Sequence, residues 1–120
     1  MGGDTVAPLN QEASMPKYLL EVSYTAQGAQ GLLKDGGTKR RAAAEAAAKS
    51  LGGSVETFYF SFGSNDAIVI ADLPDHAAAA ALSVNVGASG ALRGKTTVLF
   101  TVEEMDAACK RPIGYRAPGA

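Results

Sequence analysis

The residues able to do chemistry fall into a few short clusters. The first is the turn Gly63-Ser64-Asn65-Asp66, where a carboxylate at the mouth of a strand can hydrogen-bond a ligand or act as a general base. Asn and Asp also shape turns by bonding their own backbone, which is the competing account. The second is Lys34-Asp35-Gly36-Gly37-Thr38-Lys39-Arg40-Arg41. Two glycines leading into a helix N-terminus expose N–H groups, and adjacent cations favour an anion there, so Lys34, Gly36, Gly37, Thr38 and Arg41 form an anion-binding candidate. The glycine spacing of a P-loop is missing, and a solvated connector between helices is the better account of the run.

The third cluster, Asp72-Leu73-Pro74-Asp75-His76, holds the only histidine. An imidazole with two carboxylates is an acceptable divalent-metal set, and the same ring is a conceivable haem ligand. Asp75 and His76, however, are neighbours at a helix start and point in different directions, so a capping acid beside a surface histidine accounts for them better. No metal and no cofactor is expected, with His76 the weakest of the candidate ligands. Fourth, Arg93 and Lys95 enter the last strand. With Tyr18 or Tyr24 of the first strand they would form a cationic lip to a pocket between sheet and helices; charges that deter edge-to-edge aggregation are the alternative. Cys109, the only cysteine, has no second histidine to form a Cys–His dyad and reads as a small, half-buried helix residue. The ligand-binding set is therefore Tyr18, Gly63, Asn65, Asp66, Arg93 and Lys95, and the catalytic candidates are Asp66 with Tyr24 or Arg93.

The elements that must position these groups follow from period and punctuation. Lys17 to Tyr24 alternates Tyr18, Leu20, Val22 and Tyr24 onto one face and reads as a strand. A helix over Ala26–Lys34 is capped by Thr25 and ended by Gly36, and a second over Lys39–Ser50 is capped by Thr38 and carries six alanines. Val55–Phe62 and Ala67–Asp72 form a hairpin across the Gly63–Asp66 turn. Phe58, Phe60 and Phe62 are placed on one face of the hairpin's first strand, Val55 and Tyr59 on the other. Pro74 sits in the first turn of a helix running to about Val86. A fourth strand covers Lys95–Val102, and a last helix begins near Thr101, with Glu103 and Glu104 at its start and Lys110 and Arg111 at its end.

This order is that of an α+β, ferredoxin-like βαββαβ sandwich with an antiparallel four-stranded sheet and both main helices on one face. Its boundaries are a flexible N-terminal extension, 1–15, a domain over 16–110 and a tail over 111–120 broken by Pro112 and Pro118. The strands carry apolar residues on both faces. A bare helix-free face would be a larger apolar patch than soluble monomers usually show, so a second copy is expected to cover it as a homodimer or higher oligomer. The alternative is that the tail folds back over it.

Composition bounds the rest. The chain has 120 residues, 47% of them hydrophobic, and 11 basic side chains nearly cancel 12 acidic ones. That balance argues against electrostatic binding of nucleic acid, and no apolar run is long enough to span a membrane. One cysteine excludes a disulfide framework, and with no secretory signal in Met1–Ser14 the cytoplasm is the expected location. With 23 alanines, 14 glycines and no tryptophan, the chain has little apolar area to bury per residue.

Several blocks in order resemble the GYD-domain proteins, a small bacterial family among the dimeric α/β-barrel folds. They are Met15-Pro16-Lys17-Tyr18, Gly31-Leu32-Leu33-Lys34-Asp35-Gly36-Gly37, Ser50-Leu51-Gly52-Gly53, Phe58-Tyr59-Phe60-Ser61-Phe62-Gly63, Ile70-Ala71-Asp72-Leu73-Pro74-Asp75 and Lys95-Thr96-Thr97. The resemblance runs from about Met15 to Tyr115. It implies the dimeric α/β-barrel architecture and self-association, and it brings no reaction with it. Asn65 stands where the family's naming tripeptide has tyrosine. Two functions follow as expectations. The leading one is a small oligomeric protein, ligand-binding or regulatory, that takes a small molecule, an anion among the options, in a sheet–helix cleft. The other, resting on fold analogy alone, is a cofactor-independent monooxygenase- or isomerase-like enzyme built on Asp66 with Tyr24 or Arg93.

Overall fold

The computed structural model describes residues 15–120; apart from Met15, the expected extension over 1–15 lies outside the described residues. Seven elements follow one another: β1 (Lys17–Tyr24), α1 (Ala26–Ser50), β2 (Ser54–Phe60), β3 (Ala67–Asp72), α2 (His76–Ala88), β4 (Leu92–Leu99) and α3 (Val102–Cys109). The strands make one antiparallel sheet in the order β2-β3-β1-β4, which is the ferredoxin-like βαββαβ arrangement, with α3 added after it.

Each helix begins on an oxygen-bearing side chain that satisfies an N–H the helix cannot. Thr25 accepts from the Gly28 N–H, Asp75 from Ala78, and Thr101 forms a reciprocal capping box with Glu104. Two expectations are corrected at these starts. Pro74 precedes the Asp75 cap rather than entering the helix, and α2 runs on to Ala88. Thr38 lies inside a helix rather than capping it: the two expected helices are both present within α1 and are separated at Gly36 (φ 79°, ψ 170°), directly after which the second begins. That left-handed conformation is open to glycine at little cost, so the break falls there.

The ends of the strands also differ from expectation. β4 spans Leu92–Leu99, not Lys95–Val102. Its register is set by β1, which pairs Lys17 with Leu99 and Tyr24 with Leu92, and the Thr101 capping box then turns the chain into α3. β2 ends at Phe60, leaving Phe62 outside it. A register shift between Val55 and Thr57 lets Glu56 bulge out of the β2–β3 ladder. The bulge puts Val55 and Phe58, which strict alternation separates, on the same face. Glu56 then meets the Lys17 ammonium, which also bonds Asp72 at 2.8 Å, so one cation ties β1, β2 and β3 together.

One face of the sheet lies beneath α1 and α2. On it Tyr18 pairs with Ala71, Leu20 with Val69 and Val22 with Ala67. A buried cluster of Tyr18, Ala48, Ala71, Leu73 and Ala79 closes one end of this layer, with Leu20, Leu51, Val55 and Leu82 packed against it. The other face carries partly buried Leu19, Ile68, Ile70 and Leu99 and exposed Tyr59, among Lys17, Glu21, Asp72, Arg93 and Lys95. The phenylalanines of β2 lie on the helix side of the sheet, and residues 111–120 contain no helix or strand.

At the opposite end from Tyr18, the start of α1 is stitched to the loop before β4. The Thr25 N–H donates to the Ala91 carbonyl at 3.0 Å and its hydroxyl to Gly90 at 2.8 Å. Gly28 is buried here, and a Cβ on it would stand 1.9 Å from the Ala91 oxygen, whereas one on Gly31 would meet nothing within 4 Å. Replacing a helical glycine by alanine gains up to about 1 kcal/mol of propensity, but forcing a methyl into filled space costs about 1–3 kcal/mol. Urea unfolding is therefore expected to find Gly28→Ala destabilised by about 1–2 kcal/mol and Gly31→Ala slightly stabilised; equal midpoints for the two would refute the close approach of α1 to Ala91.

Candidate functional site

Because α1 packs over β2 and β1 while α2 packs over β4, a cleft runs between the two helices with the sheet as its floor. The floor is Leu20, Val22, Val55, Phe58, Ala67 and Val69, and the α1 wall is mostly Ala43, Ala44, Ala47 and Ala48. Alanine side chains this short cannot span the gap between helix and sheet, and an inner cavity of about 140 Å³ remains. It continues into a wider mouth of about 450 Å³ beneath the start of α1, where Gln27, Asp35, Asn85 and Ser89 bring polar groups. Tyr24, Arg40, Leu82, Val86 and Leu92 border both spaces.

Arg40 is the one charged side chain lining the inner cavity. The ion pairs among the described residues are the two that Lys17 makes, so the Arg40 guanidinium has no carboxylate at ion-pair distance. A half-buried guanidinium beside apolar walls is a ready donor to a carboxylate or phosphate oxygen. Arg40 belongs to none of the candidate sets read from the sequence. The signal was present: Arg40, Ala43, Ala44, Ala47 and Ala48 fall at the three-and-four spacing that puts them on one helical face.

The sequence candidates separate into several places. Asp66 and Tyr24 do meet, bordering a shallow recess with Leu32, Phe60 and Phe62. The Asp66 carboxylate accepts the Tyr24 backbone N–H at 2.8 Å, its own N–H donates to Val22 and its carbonyl accepts from Ser61, so the residue closes the sheet end as a turn former does. Asn65 donates to the Glu21 carboxylate at 3.1 Å, and Gly63 is exposed. Arg93 and Lys95 pair with Ser23 and Glu21, which puts them on the helix-free face and away from Tyr18 and Tyr24. The cationic lip is thus not assembled, because alternation along β4 sends these two side chains through the other side of the sheet. Of the anion-binding candidates, Gly37, Thr38 and Arg41 border a shallow depression with Phe58 and Phe60; Lys34 and Gly36 lie outside it, exposed on α1.

The third cluster divides its residues among separate tasks. Asp72 bonds Lys17, Asp75 caps α2, and His76 Nδ1 lies 2.7 Å from the Tyr18 hydroxyl with the rings edge to face. Tyr18 is 1% exposed, so this contact supplies the partner its phenol needs when cut off from water. Pairing across 58 positions of chain leaves no local pattern, and the sequence reading missed it. No group of three or more His, Cys, Asp or Glu side chains able to hold a metal occurs among the described residues. Cys109 is exposed rather than half-buried, because α3 stands off the sheet with no buried residue.

A family model described as GYD domain matches residues 18–109. No curated protein and no solved structure matches the chain. No described helix is long and apolar enough to cross a membrane.

Burial, and secondarily the Asp75 carboxylate, push the Tyr18 phenol above its usual value of 10.0. The folded chain therefore keeps this proton where the unfolded chain has lost it, so the stabilisation is intact below about pH 10 and falls as pH rises further. Lys17, held above its usual 10.5 by its hydrogen bonds to Asp72 and then Glu56, loses its contribution in the same direction at higher pH. Tyr18→Phe is expected to unfold at lower urea near neutral pH yet to lose stability less steeply than the wild type above about pH 10; parallel pH profiles would contradict a buried, late-ionising phenol.

Proposed function

This chain belongs to the GYD-domain family, and on that premise we propose that it is a cytoplasmic, self-associating protein that binds a small amphipathic anion in the cleft between the sheet and helices α1 and α2. The observation that carries the reading is the lone Arg40 at the border of an apolar cavity. An aliphatic or aromatic body enters among Leu20, Val55, Phe58, Val69 and the α1 alanines, and a carboxylate or phosphate meets the guanidinium at the mouth. The apolar part supplies affinity in proportion to the area it removes from water, about 25 cal/mol per Å². The charged hydrogen bond contributes about 1.5–3 kcal/mol and fixes the orientation. Tyr24, Gln27 and Asn85 stand close enough to the mouth to read further polar groups.

Several features favour binding over turnover as the role of this cleft. The inner cavity, about 140 Å³, is lined by apolar side chains with Tyr24 and Arg40. Its single charged group has no convergent acid or base, and the Asp66 carboxylate is already engaged by backbone. Self-association through the helix-free face is supported by Leu19, Ile68, Ile70 and Leu99, with Tyr59 exposed beside them. A reducing compartment suits the free, exposed Cys109.

Binding is tested with anilinonaphthalene sulfonate as a fluorescent probe and with octanoate, octanol and octylamine as competitors. Octanoate is expected to displace the probe at the lowest concentration. Arg40→Gln is expected to weaken octanoate by roughly tenfold or more while leaving octanol unchanged. Ala47→Leu, which fills the cavity without touching Arg40, should abolish displacement by all three and leave the unfolding midpoint equal or higher. Equal competition by octanoate and octylamine in the wild type would exclude Arg40 as the anchor.

A further inference from the structure

After β4 the chain carries a segment that the domain leaves uncovered. Every residue from Val102 to Ala120 is exposed, including Val102 at 74%, Ile113 at 79% and Tyr115 at 71%. A helix of eight residues has no stability of its own in water, and this one begins on a complete capping box without burying a single side chain. Large apolar groups on a short capped helix and an extended tail are what a docking arm presents before its partner is in place.

The charges of the arm say what that partner is. Glu103 and Asp106 lie in its first half, Lys110 and Arg111 at its end, and none of the four makes an ion pair among the described residues. Glu104 is separate from this pattern, since its carboxylate holds the Thr101 N–H at 2.7 Å. A segment that is acidic and then basic is complementary to itself when two copies run antiparallel, the condition that a two-fold interface imposes. Centring such a pair on Ala107 and Ala108 sets Glu103 against the second copy's Arg111, Asp106 against its Lys110, and Val102 beside its Ile113. The alanines at the centre are small enough to let the helices approach closely.

We propose that residues 102–116 form a clasp in which the arms of two copies of this chain pair antiparallel. The proposal rests on the self-association reading above and adds a contact to it that lies outside the sheet. It also accounts for an edge strand, β4, followed closely by a helix that has no buried residue among the described residues.

The test is a charge exchange read by analytical ultracentrifugation. Glu103→Lys with Asp106→Lys reverses the acidic half of the pairing; Lys110→Glu with Arg111→Glu reverses the basic half. Each doubly substituted protein alone is expected to dimerise at least roughly tenfold more weakly than the wild type, because like charges then face each other. An equimolar mixture of the two is expected to recover a heterodimer. Full-strength dimers from both variants alone would overturn the clasp while leaving association through the sheet intact, and a monomeric wild type would overturn both. A mixture that stays monomeric would also defeat the clasp. An independent readout is Ala107→Cys in a Cys109→Ala background, expected to form an intermolecular disulfide under mild oxidation; monomer alone under those conditions counts against antiparallel pairing.

Discussion

Scarcity of large side chains is the constraint on which this structure turns. Among the described residues only Tyr18 and Leu73 are bulky and fully withdrawn from water, and the well-packed end of the domain gathers around them. Every other wall of the helix–sheet layer is built largely from alanine and valine. Protein interiors otherwise fill their space to crystal-like density, and a layer lined with Ala43, Ala44, Ala47, Ala67 and Ala71 cannot do so along its whole length. The layer is therefore closed at the Tyr18 end and open at the Tyr24 end. The same poverty of volume that limits the core provides the cleft, and the polarity of its mouth decides what could enter.

The distribution of cations shows how one charge serves different ends according to where the backbone sets it. Lys17 sits where β1 meets the bulge of β2 and the last residue of β3, and both its carboxylate partners are structural. As an exposed pair of contacts it contributes modestly, but it joins three strands at the position where the register shifts. Arg93 and Lys95 stand on the edge strand and face away from the helices, where charge discourages unwanted strand pairing. Arg40 is brought to the apolar cavity between helices and sheet, with no acidic side chain at ion-pair distance among the described residues. None of these differences is visible in the residue types.

Legibility in the sequence followed the range of the interaction. The ferredoxin-like order, the hairpin, and the caps at Thr25 and Thr101 were all readable, because propensity, alternation and capping act over one to four residues. The turn-forming role of Asp66 was readable for the same reason, although its bond to the Tyr24 N–H was not. Errors appeared where pairing partners are distant: the start of β4 by three residues, the face of Val55, and the placement of Arg93 and Lys95. Arg40 lay inside the run Lys34–Arg41 that offered an anion site, but the residues chosen from it were those around the glycines, while the alanines that give its helix face an apolar character lay further along the chain.

The order of the strands and helices and membership of the GYD-domain family were determined by the sequence alone, since each depends on short-range pattern or on blocks of residues in order. The tertiary structure alone decided which side of the sheet each side chain occupies, that His76 satisfies the buried Tyr18 phenol, and that Arg40 overlooks the cavity. The physical reason is that one bulge at Glu56, or one step of register between β1 and β4, exchanges the two faces of a strand, and such a step is set by contacts tens of residues apart.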